Sequence, residues 1–262
     1  MANSLLSWNN LVDGASVSLS ASSYAGGLAP VNVADPIVGK RCRLTSASEW
    51  VQADFSTDVT IECLAVVFSR DTTFPTSGTV RHQLDADGGT PGSGVAHDST
   101  AISVGAVDGY GYHLYVPSAA VTARYWRATF SGSGLSFIDI GRLWAGDEAF
   151  RPGINIAGGY DEAWGDLSQI SVAERTGAEY VDSRARQRSF AFGLNALSQA
   201  ERDTLREMGR IAGSSGQVLF CLDTANFDKE TVLGRMAITQ SIRHVALSNQ
   251  LYQKAFAIRE SL

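Results

Sequence analysis

The sequence predicts a mainly β protein in two parts, a β-sandwich followed by an α+β unit with one helix on an antiparallel sheet. Three observations carry this. Short apolar runs broken by Gly- and Pro-rich turns fill residues 1–146, the pattern of a sandwich. A run of period-two alternation extends from Tyr180 to Leu194. A capped helix pattern follows at 198–212, and further apolar runs follow that.

The elements are expected in this order. In the lead-in, Val17 and Leu19 alternate with serine, and Gly26, Gly27 and Pro30 end the run. A strand enters at Glu49–Phe55. Residues 59–68 form the strongest strand of the front half. Val59, Ile61, Cys63, Ala65 and Val67 share one face, and Leu64, Val66 and Phe68 make the second half of the other face apolar too, so both sides are expected to be covered. Turn chemistry dominates 69–110, and short strands are expected at 79–84, 111–116, 124–130 and 135–144. Residues 147–176, interrupted by Pro152, Gly153, Gly158 and Gly159, read as an ordered connector, and 177–262 as the second domain. There, Ser198 and Glu201 form a capping box, Leu205, Met208 and Ile211 make an apolar stripe, and Gly213 ends the helix. Strands are expected at 217–222, 231–240 and 250–259.

Bulk properties narrow the function classes. The chain has 262 residues, 44% of them apolar and 18% charged, and a net charge of −6. That balance argues against nucleic acid as the main partner, because phosphate contacts need a positive surface. Residues 1–150 hold 8 basic and 14 acidic residues; residues 151–262 hold 13 of each. The acidic surplus belongs to the front part. Cys42, Cys63 and Cys221 have no metal-type spacing and read as small buried hydrophobes in a reduced compartment. The first residues lack a basic region followed by a long apolar run, and no apolar stretch is long enough to span a bilayer. Neither a signal peptide nor membrane insertion is expected.

Candidate chemistry is sparse. His82, His97, His113 and His244 are far apart in sequence and read as strand histidines. Asp85-Ala86-Asp87-Gly88 opens like a calcium loop, but position 96 is Ala where an EF-hand needs Glu. The pairs Asp147-Glu148 and Asp161-Glu162 are adjacent, so neither alone can flank a glycosidic bond. No catalytic residue, cofactor or metal ligand is assigned. The alternating run carries Arg184, Arg186, Arg188, Phe190 and Phe192 on one face, and Gln187, Ser189, Ala191 and Gly193 on the other. The arginine face reads as a subunit interface or as intrachain ion pairs; a solvated edge or a phosphate-facing strip are the alternatives. Trp50, Trp126, Trp144 and Trp164 could stack on sugars, but Trp126 and Trp144, in strands with apolar neighbours, read as core. Phe74, Tyr110 and Tyr112, placed in turn-rich segments, are the aromatic candidates for stacking on a sugar.

Asn32-Val33-Ala34-Asp35, Glu49–Phe55, Ala123-Arg124-Tyr125-Trp126-Arg127 and Ile140-Gly141-Arg142-Leu143-Trp144 resemble in their order the discoidin-like jelly roll, a galactose-binding-like sandwich that presents loops for binding. The wider layout adds Arg184–Phe192, then Leu197-Ser198-x-x-Glu201, then Val218–Asp223. It is similar to tail-tip (distal tail or baseplate) virion proteins of tailed bacteriophages. This resemblance implies a non-enzymatic structural role: a homo-oligomeric ring, hexamer or trimer, around the tail axis that joins the tube to the hub or fibres. It would be made and assembled in the host cytoplasm and reside in the virion. The alternative is a carbohydrate-binding module that contacts host surface glycans.

Overall fold

The structure is a computed structural model and describes residues 4–69, 78–86, 95–104, 111–132, 135–156, 159–237, 241–246 and 251–262. The chain divides into two compact units. One comprises Met1–Arg151 with Val218–Thr231, the other Pro152–Gln217 with Val232–Leu262. Strands dominate both.

The first ten strands are β1 (Leu5–Ser7), β2 (Ser18–Ala21), β3 (Cys42–Leu44), β4 (Trp50–Ile61), β5 (Cys63–Phe68), β6 (Thr79–Asp85), β7 (Val95–Ser103), β8 (Tyr112–Tyr115), β9 (Val121–Ser131) and β10 (Ile138–Gly146). Nine of them, β2 to β10, build a jelly-roll sandwich. A five-stranded sheet, ordered β2-β4-β9-β6-β7, faces a four-stranded one, ordered β3-β10-β5-β8, and every pairing is antiparallel. The core lies between them. Val51, Ala53, Trp126, Ala128, Phe130, Val80 and Leu84 come from one sheet, and Leu44, Leu64, Val66, Phe68, Ile140 and Leu143 from the other. Alternation on the strands aims these residues inward.

The strand expected at 59–68 is two strands. The chain leaves the five-stranded sheet after Ile61, bends at Glu62 and enters the four-stranded sheet as β5. The bend is held by the Glu62 N–H donating to Gly146 O (2.8 Å) and by Glu62 Oε2 accepting from the Ala149 N–H (2.9 Å). A continuous apolar run thus served two sheets, which periodicity alone cannot reveal.

All nine residues of β10 are buried. Its register shifts between Ile140 and Arg142 against β5, so the extra residue re-aims Arg142. Arg142 is buried and reaches Asp13 Oδ2 at 2.6 Å, while Trp144 Nε1 donates to Ser7 Oγ (3.0 Å). The lead-in segment thereby closes over this strand.

The next elements are β11 (Tyr160–Asp166), β12 (Gln169–Val172), β13 (Glu179–Asp182), β14 (Arg186–Leu197) and α1 (Gln199–Ile211). They are followed by β15 (Gln217–Cys221), α2 (Phe227–Glu230), β16 (Thr231–Met236), β17 (Arg243–Ala246) and β18 (Leu251–Glu260). In the first unit β15 pairs β1. In the second unit β18 pairs β16, β17 and β14, and β14 pairs β11. Helix α1 has the expected box: Ser198 Oγ accepts from the Glu201 N–H (3.3 Å) and Glu201 Oε2 accepts from the Ser198 N–H (2.7 Å). Gly213, at φ +52°, follows the helix in the conformation that glycine adopts without strain.

Two expectations change here. The segment 147–176 supplies β11, a full strand of the second unit's sheet, and β12, one half of a hairpin. The run Tyr180–Leu194 is not one ribbon. It breaks at 183–185, between β13, which pairs only with β12 among the described residues, and β14.

Candidate functional site

The sandwich gathers charge, hydroxyls and aromatic rings around β3. Asp139 on β10 lies opposite Arg43 on β3. Its carboxylate, fully buried, accepts from Arg43 Nε (2.7 Å) and Nη2 (2.8 Å) in a two-point pair. Arg41, two residues back and so on the same face, brings Nε to 3.4 Å of the same carboxylate and donates through Nη1 to Ser69 Oγ (3.3 Å). The Arg43 guanidinium stacks 4.1 Å over the Phe137 ring. The bond to Asp139 holds the guanidinium above its ordinary pKa.

The backbone of 25–28 runs along β3, with the Ala25 N–H donating to Arg43 O and the Arg43 N–H to Leu28 O. Just before it, Ser23 Oγ accepts from the Thr45 hydroxyl (2.7 Å), and Tyr24 lies between these two links to the strand. Tyr24 is 51% exposed. Glu49 accepts from the Ser22, Ser23 and Ser46 hydroxyls, and the Ser22 bond leads in lowering its carboxyl below the usual range. Trp50, next in sequence, stacks on Arg127 at 4.1 Å. A guanidinium pair fixed by a buried carboxylate, hydroxyls held by a second carboxylate, and an exposed ring form a set that can hydrogen-bond a polyol while covering its apolar face. Of these residues the sequence pointed only to Trp50, as one of four tryptophans that could stack on a sugar, and to Glu49 as the start of its strand. Asp139 and Arg43 are 96 positions apart and meet only through β-pairing.

The histidines also meet. Alternation places His82 (β6) inward between the sheets, and His113 (β8), opposite Val66, faces the same core. His82 Nε2 lies 3.1 Å from His113 Nδ1, and Trp126 Nε1 donates to His82 Nδ1 (3.2 Å). His97 Nε2 contacts Tyr115 Oη at 2.5 Å, and the Tyr115 ring stacks on His82. Both His82 and His113 are fully buried, and burial lowers both pKa values, that of His113 to about 4. Among the described residues no group of three potential metal ligands converges. This cluster reads as a packed, hydrogen-bonded part of the core.

The residues proposed from sequence separate. Phe74 and Tyr110 lie outside the described residues. Tyr112 is not an exposed loop aromatic: it sits in β8 opposite Val67 and is 3% exposed. Arg188, Phe190 and Phe192 are buried within the chain itself, so no neighbouring subunit is needed to cover them. Arg188 lies 3.7 Å from Glu260, its backbone N–H donates to Glu260 Oε2 (2.9 Å), and Trp164 opposite it stacks 5.8 Å from the guanidinium. Arg184, in the break, pairs with Asp182, and Arg186 is exposed. Arg184 thus lies outside the strand, and Arg186 and Arg188, two apart on β14 and on one strand face, differ in burial.

No family model and no curated protein matches the chain. Solved structures do. A chitosan-binding module of a Paenibacillus chitosanase/glucanase is 18% identical over 53% of this chain and 98% of its own, with a TM-score of 0.41. The family 32 CBM of Clostridium perfringens NanJ, solved with galactose, is 11% identical over 53% and 98%, with a TM-score of 0.41. A Ruminococcus gnavus GH29 fucosidase, solved with fucose, is 14% identical over 53% of this chain, with a TM-score of 0.43. The chain spans 27% of that fucosidase. None of these three is a tail protein.

Proposed function

We propose that the sandwich is a glycan-binding module and that its binding surface is the Tyr24–Arg43–Phe137–Glu49 region. The observation that carries this is the Arg41–Arg43–Asp139 arrangement on β3 and β10, along whose edge runs the segment that bears the exposed Tyr24. With its fork fixed on Asp139, Arg43 presents its remaining N–H groups to a sugar hydroxyl, and an exposed ring covers the C–H face of a sugar. The role is recognition, with no bond made or broken.

A glycan array with the full chain tests it. The expected result is selective binding to one sugar class, weakened at least about tenfold, or 1.4 kcal/mol, by Tyr24→Ala with the melting temperature unchanged. Absence of any glycan signal, or full binding by Tyr24→Ala, removes the reading.

A second reading is a structural component of a bacteriophage tail tip, forming a ring and joining tube to hub or fibres. One observation supports it: the second unit leaves large apolar side chains bare along 160–181, a surface of the kind that oligomers bury. Antibody labelling of virions separates this role from a free glycan binder.

A further inference from the structure

The β12–β13 hairpin is amphipathic in an unusual sense. Its register places Ile170 opposite Val181 and Val172 opposite Glu179, so Ile170, Val172 and Val181 share one face and Glu179 ends it. The other face carries Gln169, Ser171, Tyr180 and Asp182. The apolar face is bare: Ile170 is 67%, Val172 56% and Val181 61% exposed. An isolated two-stranded hairpin is marginal in water, and three bare β-branched residues on one face are the pattern of a strand pair that packs on another sheet.

The same unit has an open sheet face. On β14 and β18 the buried residues include Arg188, Phe190, Phe192, Leu194, Phe256 and Ile258. The opposite face carries Ala163 on β11, Ser189, Ala191 and Gly193 on β14, and Ala255 and Ala257 on β18. These are exposed or half-exposed, and Ala163, Ser189, Ala191 and Ala257 border a shallow groove of about 370 Å³ that Asp161 and Arg259 also line. Basic side chains edge this face. Arg235 and Arg259 stand directly opposite each other on β16 and β18, and Arg243 lies opposite Gln253 on β17; all three are exposed. Like charges side by side cost stability unless an anion joins them. No ion pair involving these three occurs among the described residues.

We propose that these two surfaces belong together in different copies of the chain: the apolar face of one copy's β12–β13 hairpin packs on the small-residue sheet face of the next. Size and charge both match. Bulky Ile170, Val172 and Val181 meet alanine, serine and glycine; the hairpin tip, with Glu174 and Glu179 against the single Arg175, is net acidic, and the receiving face, with Arg235, Arg259 and Arg243 against Asp161, is net basic. Hairpin and receiving face are different surfaces of one chain, so the contact is head-to-tail and propagates into a ring or a filament. The inference deepens the assembly reading and is independent of glycan binding. Self-association in a chain absent from any virion would leave it standing and remove only the tail role.

Sedimentation of the full chain with two variants tests it. Ile170→Glu/Val181→Glu disables the hairpin, and Ala191→Arg/Ala257→Arg disables the face; every changed residue is exposed or half-exposed, and circular dichroism and thermal melting check folding. Wild type is expected as species of two or more copies at about 10 μM, and each variant alone as a monomer. Mixing the two folded variants restores one intact junction and yields a dimer, which arm-to-arm pairing cannot produce. A monomeric wild type, a variant that still assembles, or a mixture that stays monomeric overturns the proposal. Charge exchange gives a second readout: Glu179→Arg alone weakens assembly at least tenfold, and Arg259→Glu in the same chain recovers it.

Discussion

His82 and His113 share one buried hydrogen bond, and its direction is set by a third residue. Trp126 Nε1–H can only donate, so His82 Nδ1 accepts and the His82 proton sits on Nε2. That proton is donated to His113 Nδ1, which leaves the His113 proton on Nε2. The His113 ring meets the Phe227 ring edge-on at 5.1 Å. The chain of donors works only while both imidazoles are neutral.

Acid should therefore loosen the sandwich. Burial holds both imidazoles below their ordinary value, His113 at about 4, whereas unfolded histidine titrates near 6.5. Below 6.5 the unfolded chain binds more protons, so this stability is fully present above about pH 6.5 and falls as pH drops, the His113 part levelling off below about 4. His113 alone accounts for about 3 kcal/mol of that loss. Asp147 and Glu148, raised by burial, act in the opposite direction and soften the slope. Imidazole NMR titration checks it: both rings stay neutral at pH 5.5, and a ring that protonates above pH 6 contradicts the hydrogen-bond order.

The three cysteines should be inert in the folded chain. Cys42, Cys63 and Cys221 are buried, and burial pushes each thiol up to about 12. The nucleophile is the thiolate, which is scarce at neutral pH under those conditions. A thiol reagent at pH 8 is expected to label none of them natively and all three in denaturant. Rapid labelling of any one would show that its strand opens.

Arg188 and Arg186 should differ sharply although they are two residues apart. Arg188 is paired with Glu260 where both side chains are fully buried, and Arg188→Ala strands that carboxylate, costing about 3–5 kcal/mol. Arg186 is 71% exposed and 3.9 Å from Asp166, so Arg186→Glu shifts stability by no more than about 0.5 kcal/mol. Urea unfolding of the two variants measures both.

Glu201 should matter more than an ordinary cap residue. Besides closing the box with Ser198, its Oε1 accepts from the Gly153 N–H at 2.7 Å. Ser198→Ala is expected to cost about 1 kcal/mol, and Glu201→Ala more, because it also frees the segment around Gly153. Equal losses would mean that the Gly153 bond contributes nothing to stability.

Local pattern was a sound guide wherever one element answers to one environment. The strand at 79–84, the strand at 124–130 and the helix from Ser198 are set by alternation, by the capping box and by Gly213, all readable within a few residues. It failed where one run serves two environments. Val59–Phe68 crosses between sheets at Glu62, and Tyr180–Leu194 changes from a bare hairpin to a buried strand. Gln169–Val172, a short alternating run inside a stretch rich in glycine, passed for a connector.

The sequence by itself determined the class of each part, because backbone propensity and side-chain period are local quantities. Only the tertiary structure decided which face of each strand is covered. It put Arg188, Phe190 and Phe192 inside and left the alanine face open. It also brought Arg43 to Asp139 and His82 to His113 across long chain separations. Burial and hydrogen-bond pairing are properties of neighbours in space, and strand register, not sequence spacing, chooses those neighbours.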